Sequence, residues 1–230
     1  MTIEDIVYDI LEIVNALEDD HDIEPLWLMK KITAYREALI IQDYMQNETI
    51  RSNWIQKLPM IKTTKVTSAD DLSIVYTSIS LSKAVIPSII SLPDDMGLVR
   101  VTGSAGILPF DHIGMDSLMM KVHFNEEKMG DFGYVTRLGN GLYMWPLVME
   151  IIPWIIASDP MAIPFTDPVT GAQRDFAMTD QYPVDPYIAQ QIVLEICTKD
   201  LKIEMGSIAD ITNDSKHQLR ILQSGTSKEQ

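Results

Sequence analysis

The hydrophobic period of this chain changes near residue 53, and that change limits the folds open to it. Before it, apolar residues recur at the three-and-four spacing of one helical face: Ile3, Ile6, Val7, Ile10, Leu11, Val14 and Leu17. Thr2 followed by Asp5 makes a capping-box start, and acidic residues in a first turn suit the helix dipole. The polar run "EDDHD", residues 18–22, breaks the pattern. Glu24-Pro25 then opens a second helix with proline at its favoured first position. Leu28, Ile32, Tyr35 and Leu39 mark its buried stripe, and the pattern runs to about Tyr44. An antiparallel helical pair joined by a short acidic loop is expected over residues 1–46.

Beyond the polar connection "MQNETIRSN", the run "KLPMIKTTKVTS" is rich in threonine and β-branched residues and alternates in places, as strands do. Prolines and glycines then punctuate short apolar runs: "SIVYTSISL", "LVRVTG", "YVTRL", "GLYMWP" and "MEIIPWIIA". A β-rich middle module of short strands is expected over residues 54–158. "LGNGLYMW" is its clearest hairpin, with Asn140-Gly141 expected to supply the positive φ of a tight turn. Residues 159–184 carry several prolines and read as a loop or arm. A late C-terminal helix is expected over 185–206, with Asp185 as N-cap, Pro186 at the first helical position, and Ile188, Ile192 and Ile196 on one face. Residues 207–230 read as a tail, flexible unless docked. The fold class is α+β.

A chain of 230 residues accommodates one large domain or two small ones, and 46% hydrophobic content excludes wholesale disorder. The net charge of −15 argues against gripping a phosphate backbone, which needs a basic face. Cys197 is the single cysteine, so no intrachain disulfide forms. Its place in the late apolar pattern reads as a buried thiol rather than a nucleophile. The longest apolar stretch, "WPLVMEIIPWIIA", is broken by Glu150 and Pro153 and is too short to span a bilayer. The first ten residues are acidic where a signal peptide is basic. A soluble protein without a membrane partner is expected.

Chemistry-bearing motifs are sparse. His21, His112, His123 and His217 are scattered, without metal-ligand spacing. "DHIGMD" places Asp111 and Asp116 around His112 and reads as a polar turn before a short helix capped by Asp116. "VTGSAGILP" reads as a turn rather than a phosphate loop, because no lysine follows and Pro109 blocks an immediate helix. Asp180 and Asp185 flank Tyr182 and Pro183, either as a carboxylate pair able to hold a divalent ion or as the entrance to a helix; the entrance is the favoured reading. The methionine runs "MDSLMM" and "YMWPLVM" suit core packing first and an adaptable protein interface second. No catalytic residue, metal or cofactor is assigned.

The second helix, "IEPLWLMKKITAYREALIIQDYM", sets Ile32, Arg36, Leu39 and Ile40 in an I-x-x-x-R-x-x-L-I pattern. An acidic "DQYP" leads into "VDPYIAQQIVLEICTKDL", and "IADITNDSK" follows with Asp210, Asn213 and Asp214. With the β-rich middle between them, this layout resembles the head-to-tail connector or ring (adaptor) virion structural proteins of tailed bacteriophages, especially crAss-like phages. The likeness covers nearly the whole chain. It implies a non-enzymatic structural protein made in the bacterial host cytoplasm and located in the neck of the virion. There it would form a homo-oligomeric ring, dodecameric to match the portal, joining capsid to tail and lining the passage of DNA. Its implied partners are itself, the portal protein, other neck or tail proteins and, transiently, DNA. Residues expected at subunit or partner contacts are Leu28, Ile32, Tyr35, Arg36 and Leu39 in the second helix. Tyr182, Ile188, Ile192 and Ile196 around the late helix, and Asp210, Asn213 and Asp214 near the end, complete the set. The alternatives are a metal-dependent hydrolase using Asp111/Asp116 or Asp180/Asp185, and a protein-binding scaffold outside virions.

Overall fold

Helix α1 (Ile3–Leu17) begins at a reciprocal capping box. The Thr2 N–H donates to Asp5 Oδ2 at 2.7 Å and the Asp5 N–H to Thr2 Oγ1 at 3.0 Å. The Thr2 N–H bond first, and then the Thr2 hydroxyl, hold the Asp5 carboxyl below its usual range. Helix α2 (Pro25–Asn47) has proline in first position and runs three residues past Tyr44. It stops where Glu48 turns left-handed, at φ 51°, with its N–H on the Tyr44 carbonyl. The computed structural model describes residues 1–17, 23–67, 81–104, 108–123, 133–166 and 172–202, so the acidic connection at 18–22 and the expected tail at 207–230 lie outside the described residues.

After a 3-10 turn at Ser52–Trp54 come β1 (Gln56–Lys57), β2 (Ile61–Lys62), β3 (Thr64–Lys65) and β4 (Ser82–Val85). Then follow β5 (Leu98–Gly103), β6 (Pro109–His112), helix α3 (Met115–His123), β7 (Gly133–Leu138), β8 (Gly141–Trp145) and β9 (Glu150–Ile155). All but the last residue of the run "SIVYTSISL" lies outside the described residues; the strand seen nearby begins at Ser82. The run "VTGSAGILP" spans the connection of an antiparallel pair, β5 and β6, whose Gly103 N–H meets the Leu108 carbonyl at 2.9 Å.

The strands form one sheet in the order β1-β9-β5-β6-β7-β8-β4-β3, with β2 also on β9. Only Thr63 separates β2 from β3, so residues 56–65 pair with β9 at one end and with β4 at the other. The sheet therefore closes on itself. Among the described residues its one parallel pair, β6 and β7, is joined through α3, as a parallel crossover requires. Closure turns alternate side chains into a common interior. Ala84, Val101, Phe110, Val135, Met144 and Ile151, drawn from six different strands, meet in one buried cluster. Pro153 sits within β9 without breaking it, because it lies where the opposing segment is itself interrupted between Lys57 and Ile61. Its carbonyl still accepts the Leu58 N–H at 2.9 Å, and its missing N–H falls at the gap.

The β7–β8 hairpin forms where expected, with a correction to its turn. The positive φ belongs to Gly139, at 56°, and not to Asn140 or Gly141. A single positive φ at the first central residue fits the II′ geometry, in which glycine leads.

Residues 159–184, expected as a loop or arm, carry short elements among the described residues. Asp159 Oδ1 accepts the Met161 N–H to start a 3-10 turn at Pro160–Ala162. Next, β10 (Phe165–Thr166) and β11 (Gln173–Arg174) pair antiparallel, and Tyr182 and Val184 enter the core. Helix α4 (Pro186–Glu195) follows and ends in a π turn at Ile196–Asp200; the described residues stop at 202.

Helices α1, α2 and α4 share a core with Trp54, Ile90, Leu92 and Ile156 at one end of the sheet. Ile3, Ile6, Val7, Ile10 and Val14 are the buried face of α1; each contributes roughly 1.5–3 kcal/mol by leaving water. In α2 the buried stripe is Leu28, Ile32, Arg36 and Ile40, four apart, whereas Tyr35 and Leu39 are only half-buried. Helix α3 lays Leu118 and Val122 on Tyr143 and neighbours of the sheet's outer face.

Candidate functional site

A charged residue occupies the stripe that seats α2. Arg36 is fully buried. Its Nε donates to the Pro183 carbonyl and a terminal nitrogen to the Ala157 carbonyl, both at 2.8 Å; the other terminal nitrogen reaches the Trp54 carbonyl at 3.5 Å. Its guanidinium also lies 5.7 Å from the centre of the Tyr182 ring. Burial pulls the guanidinium down to about 10, against the opposing pull of Tyr182 and nearby carboxylates. It therefore stays charged at neutral pH. The Ile156 carbonyl accepts the Ile90 N–H, the Ile156 N–H donates to the Gly97 carbonyl and the Ser158 N–H to the Ser88 carbonyl, while the Ala157 carbonyl faces the helices. Arg36 thus stitches the end of β9, the 3-10 turn before β1 and the entrance to α4, using the fork geometry only arginine has.

The entrance to α4 is built differently from the N-cap expected there. Asp185 holds the N-cap position, but its side chain caps nothing. Oδ1 accepts from Asn53 Nδ2 at 2.8 Å, and Oδ2 lies 3.6 Å from Arg51 Nε. Arg51 is in turn held by Asp43, at 2.8 and 3.1 Å. The carboxylate is thus drawn sideways into a network joining the end of α2 to the start of β1. Asp180 is gripped separately: both terminal guanidinium nitrogens of Arg174 donate to it, and Ala177 N–H donates to Oδ2 at 2.7 Å. The Arg174 bonds first, and then the Ala177 bond, hold its carboxyl below the ordinary range against the opposing effect of burial. The two aspartates therefore have separate partners.

The residues expected to meet other subunits are placed inside the chain itself. Leu28, Ile32, Arg36, Tyr182, Ile188, Ile192 and Ile196 are buried in the helical core, with Tyr35 and Leu39 packed against it. This corrects their reading as partner surface: an i,i+4 apolar stripe does not distinguish an internal face from an external one. Asp210, Asn213 and Asp214 lie outside the described residues. Asp111, on β6, and Asp116, in the first turn of α3 rather than before it, are exposed. His112 turns instead to Asp95, at 3.3 Å, an aspartate that also binds Arg137. Among the described residues no three His, Cys, Asp or Glu side chains gather as a metal site, and no helix is long and apolar enough to cross a membrane. Cys197 is buried, and burial pushes its thiol up.

Outside the core, charge is divided unevenly. Residues 1–48 carry twelve Asp or Glu against three Lys or Arg, whereas residues 49–90 carry five Lys or Arg against two Asp. Glu4, Asp5, Asp9 and Glu12 form the exposed face of α1. Lys57, Lys62 and Lys65 stand exposed along the segment that closes the sheet. Lys57 and Arg100 pair across from Trp154 on either side, each cation 5.4 Å from its ring centre. A cleft of about 640 Å³ opens beside β1, lined by Gln56, Met60, Phe165, Gln173 and Phe176 among others. Counting charge by segment, rather than over the whole chain, would have exposed the basic stripe in the sequence. No protein-family model matches this chain, and comparison with curated proteins finds no significant match.

Proposed function

We propose that this chain is a non-enzymatic virion structural protein that assembles as a ring in the head-to-tail connector of a tailed bacteriophage, below the portal. The observation that carries the reading is the order of elements. A helical pair, a strand-rich module, a proline-bearing segment docked on the body and a late helix follow one another as they do in the layout the sequence resembles. The rigid core supports it: a closed sheet tied to a helical layer through Arg36 suits a subunit that carries load. Two exposed faces of unlike charge give one copy two different surfaces to offer its neighbours. The hydrolase reading has less behind it, since Asp180 and Asp185 are committed to Arg174 and to Asn53 and Arg51.

Mass photometry and negative-stain microscopy of the purified protein, with and without portal protein, test the proposal, together with a search for the chain in purified virions. Rings and virion incorporation are the expected result. A strictly monomeric protein absent from virions would sink it, and oligomers absent from virions would favour a scaffold acting elsewhere.

A further inference from the structure

We propose that neighbouring copies in the ring meet head to tail, with the lysine stripe of one copy seated on the exposed face of α1 of the next. The inference rests on the ring reading and names the contact that builds it. Glu4, Asp9 and Glu12 surround Tyr8 on that helix, and Tyr8 is 67% exposed. Lys57, Lys62 and Lys65 share one exposed segment with Met60, which is 53% exposed, and Met149, 78% exposed, lies beside this segment through the Thr63 N–H to Met149 carbonyl bond. The α1 face thus has an apolar centre and an acidic rim; the other has an apolar centre and three lysines with one carboxylate, Glu150, opposite Lys62 in register, so the two faces are opposite in net sign. That is the anatomy of a polar-rimmed interface, in which the rim sets orientation and encounter.

The two faces belong to different layers of the molecule. Helix α1 is seated on α2 and α4, and the lysines sit on the closing segment of the sheet. Two distinct complementary patches on one chain make a heterologous contact, which closes into a ring when the rotation permits. The acidic face is also crowded. Asp9 follows Asp5 and precedes Glu12 at helical-neighbour spacing, and like charges so placed repel. Among the described residues no Lys or Arg pairs with any of the four carboxylates. Burial first, then repulsion from Asp5 and Glu12, raises the Asp9 carboxyl. A lysine-bearing neighbour relieves that repulsion, and a chain of net charge −15 needs such local complementarity for copies to approach at all.

Charge reversal tests the contact. One variant carries E4K, D9K and E12K, leaving Asp5 to its capping bonds, and the other carries K62E and K65E. Each alone should raise the concentration needed for assembly by about tenfold or more, which corresponds to about 1.4 kcal/mol. Mixing the two variants, or combining all five changes in one chain, should restore rings, because every junction then pairs opposite signs again. Circular dichroism and thermal unfolding confirm that each variant is folded. Folded variants that assemble as the wild type does, or a mixture that fails to restore rings, overturn the contact and leave the ring reading standing. A wild-type chain that never assembles, alone or with portal, removes the ring reading and this contact with it.

Discussion

Replacing Arg36 with methionine removes a side chain that bonds three separate backbone segments while keeping most of the buried volume. Two of its bonds are short, at 2.8 Å, and the third, at 3.5 Å, is weak. Losing them leaves the buried Pro183 and Ala157 carbonyls without this donor, at about 1–3 kcal/mol each. Against this stands relief from burying a guanidinium that no carboxylate among the described residues pairs with, the same burial that lowers its pKa to about 10. The balance is a loss of roughly 3 kcal/mol, and for a chain of this size a fall in Tm of about 6–12 °C. Arg36→Lys keeps the charge but not the fork, and should recover no more than about half of the loss. Thermal and urea unfolding followed by circular dichroism measure both variants. An Arg36→Met protein within about 1 kcal/mol of wild type would refute the stitching role, since even one orphaned carbonyl costs about that much. A lysine variant equal to wild type would show that charge alone, not the fork, is what matters.

Three further outcomes follow from single contacts. Asp180 has its folded pKa lowered, chiefly by Arg174. Its contribution to stability is therefore complete above the unfolded value of about 3.9 and is lost as pH falls through the folded value. Asp180→Asn should be less stable than wild type in urea at pH 7, with the gap narrowing toward pH 2; a constant gap would contradict this. Gly97 has no room for a methyl group: a Cβ there would lie 2.2 Å from the Ile90 carbonyl oxygen. Gly97→Ala should cost about 1–3 kcal/mol in urea unfolding, and an unchanged midpoint would show that the Ile90 segment yields freely. Cys197 should resist a thiol reagent in the native protein and react once guanidinium unfolds it, as burial of the thiol requires. Rapid native labelling would mean that the helical core opens locally.

What depends on neighbours within a few residues was legible in the sequence. The periodicity of α1, the Thr2 and Asp5 capping box, proline at the start of α2 and α4, and the site of the β7–β8 hairpin all arise from contacts of that range. The α+β class follows from them. Tertiary structure decided what depends on residues far apart in the chain. Closure of the sheet joins Gln56 to Ile155 and Thr64 to Lys83, and no local pattern encodes which strand ends will meet. Arg36 sits in phase with Leu28, Ile32 and Ile40, yet its burial became legible only once carbonyls 18, 121 and 147 residues away converged on it. Asp185 marks the helix start its sequence announces, but Asn53, 132 residues earlier, claims its side chain. An apolar or polar pattern fixes which way a residue faces on its own element; only the assembled layers fix what stands opposite.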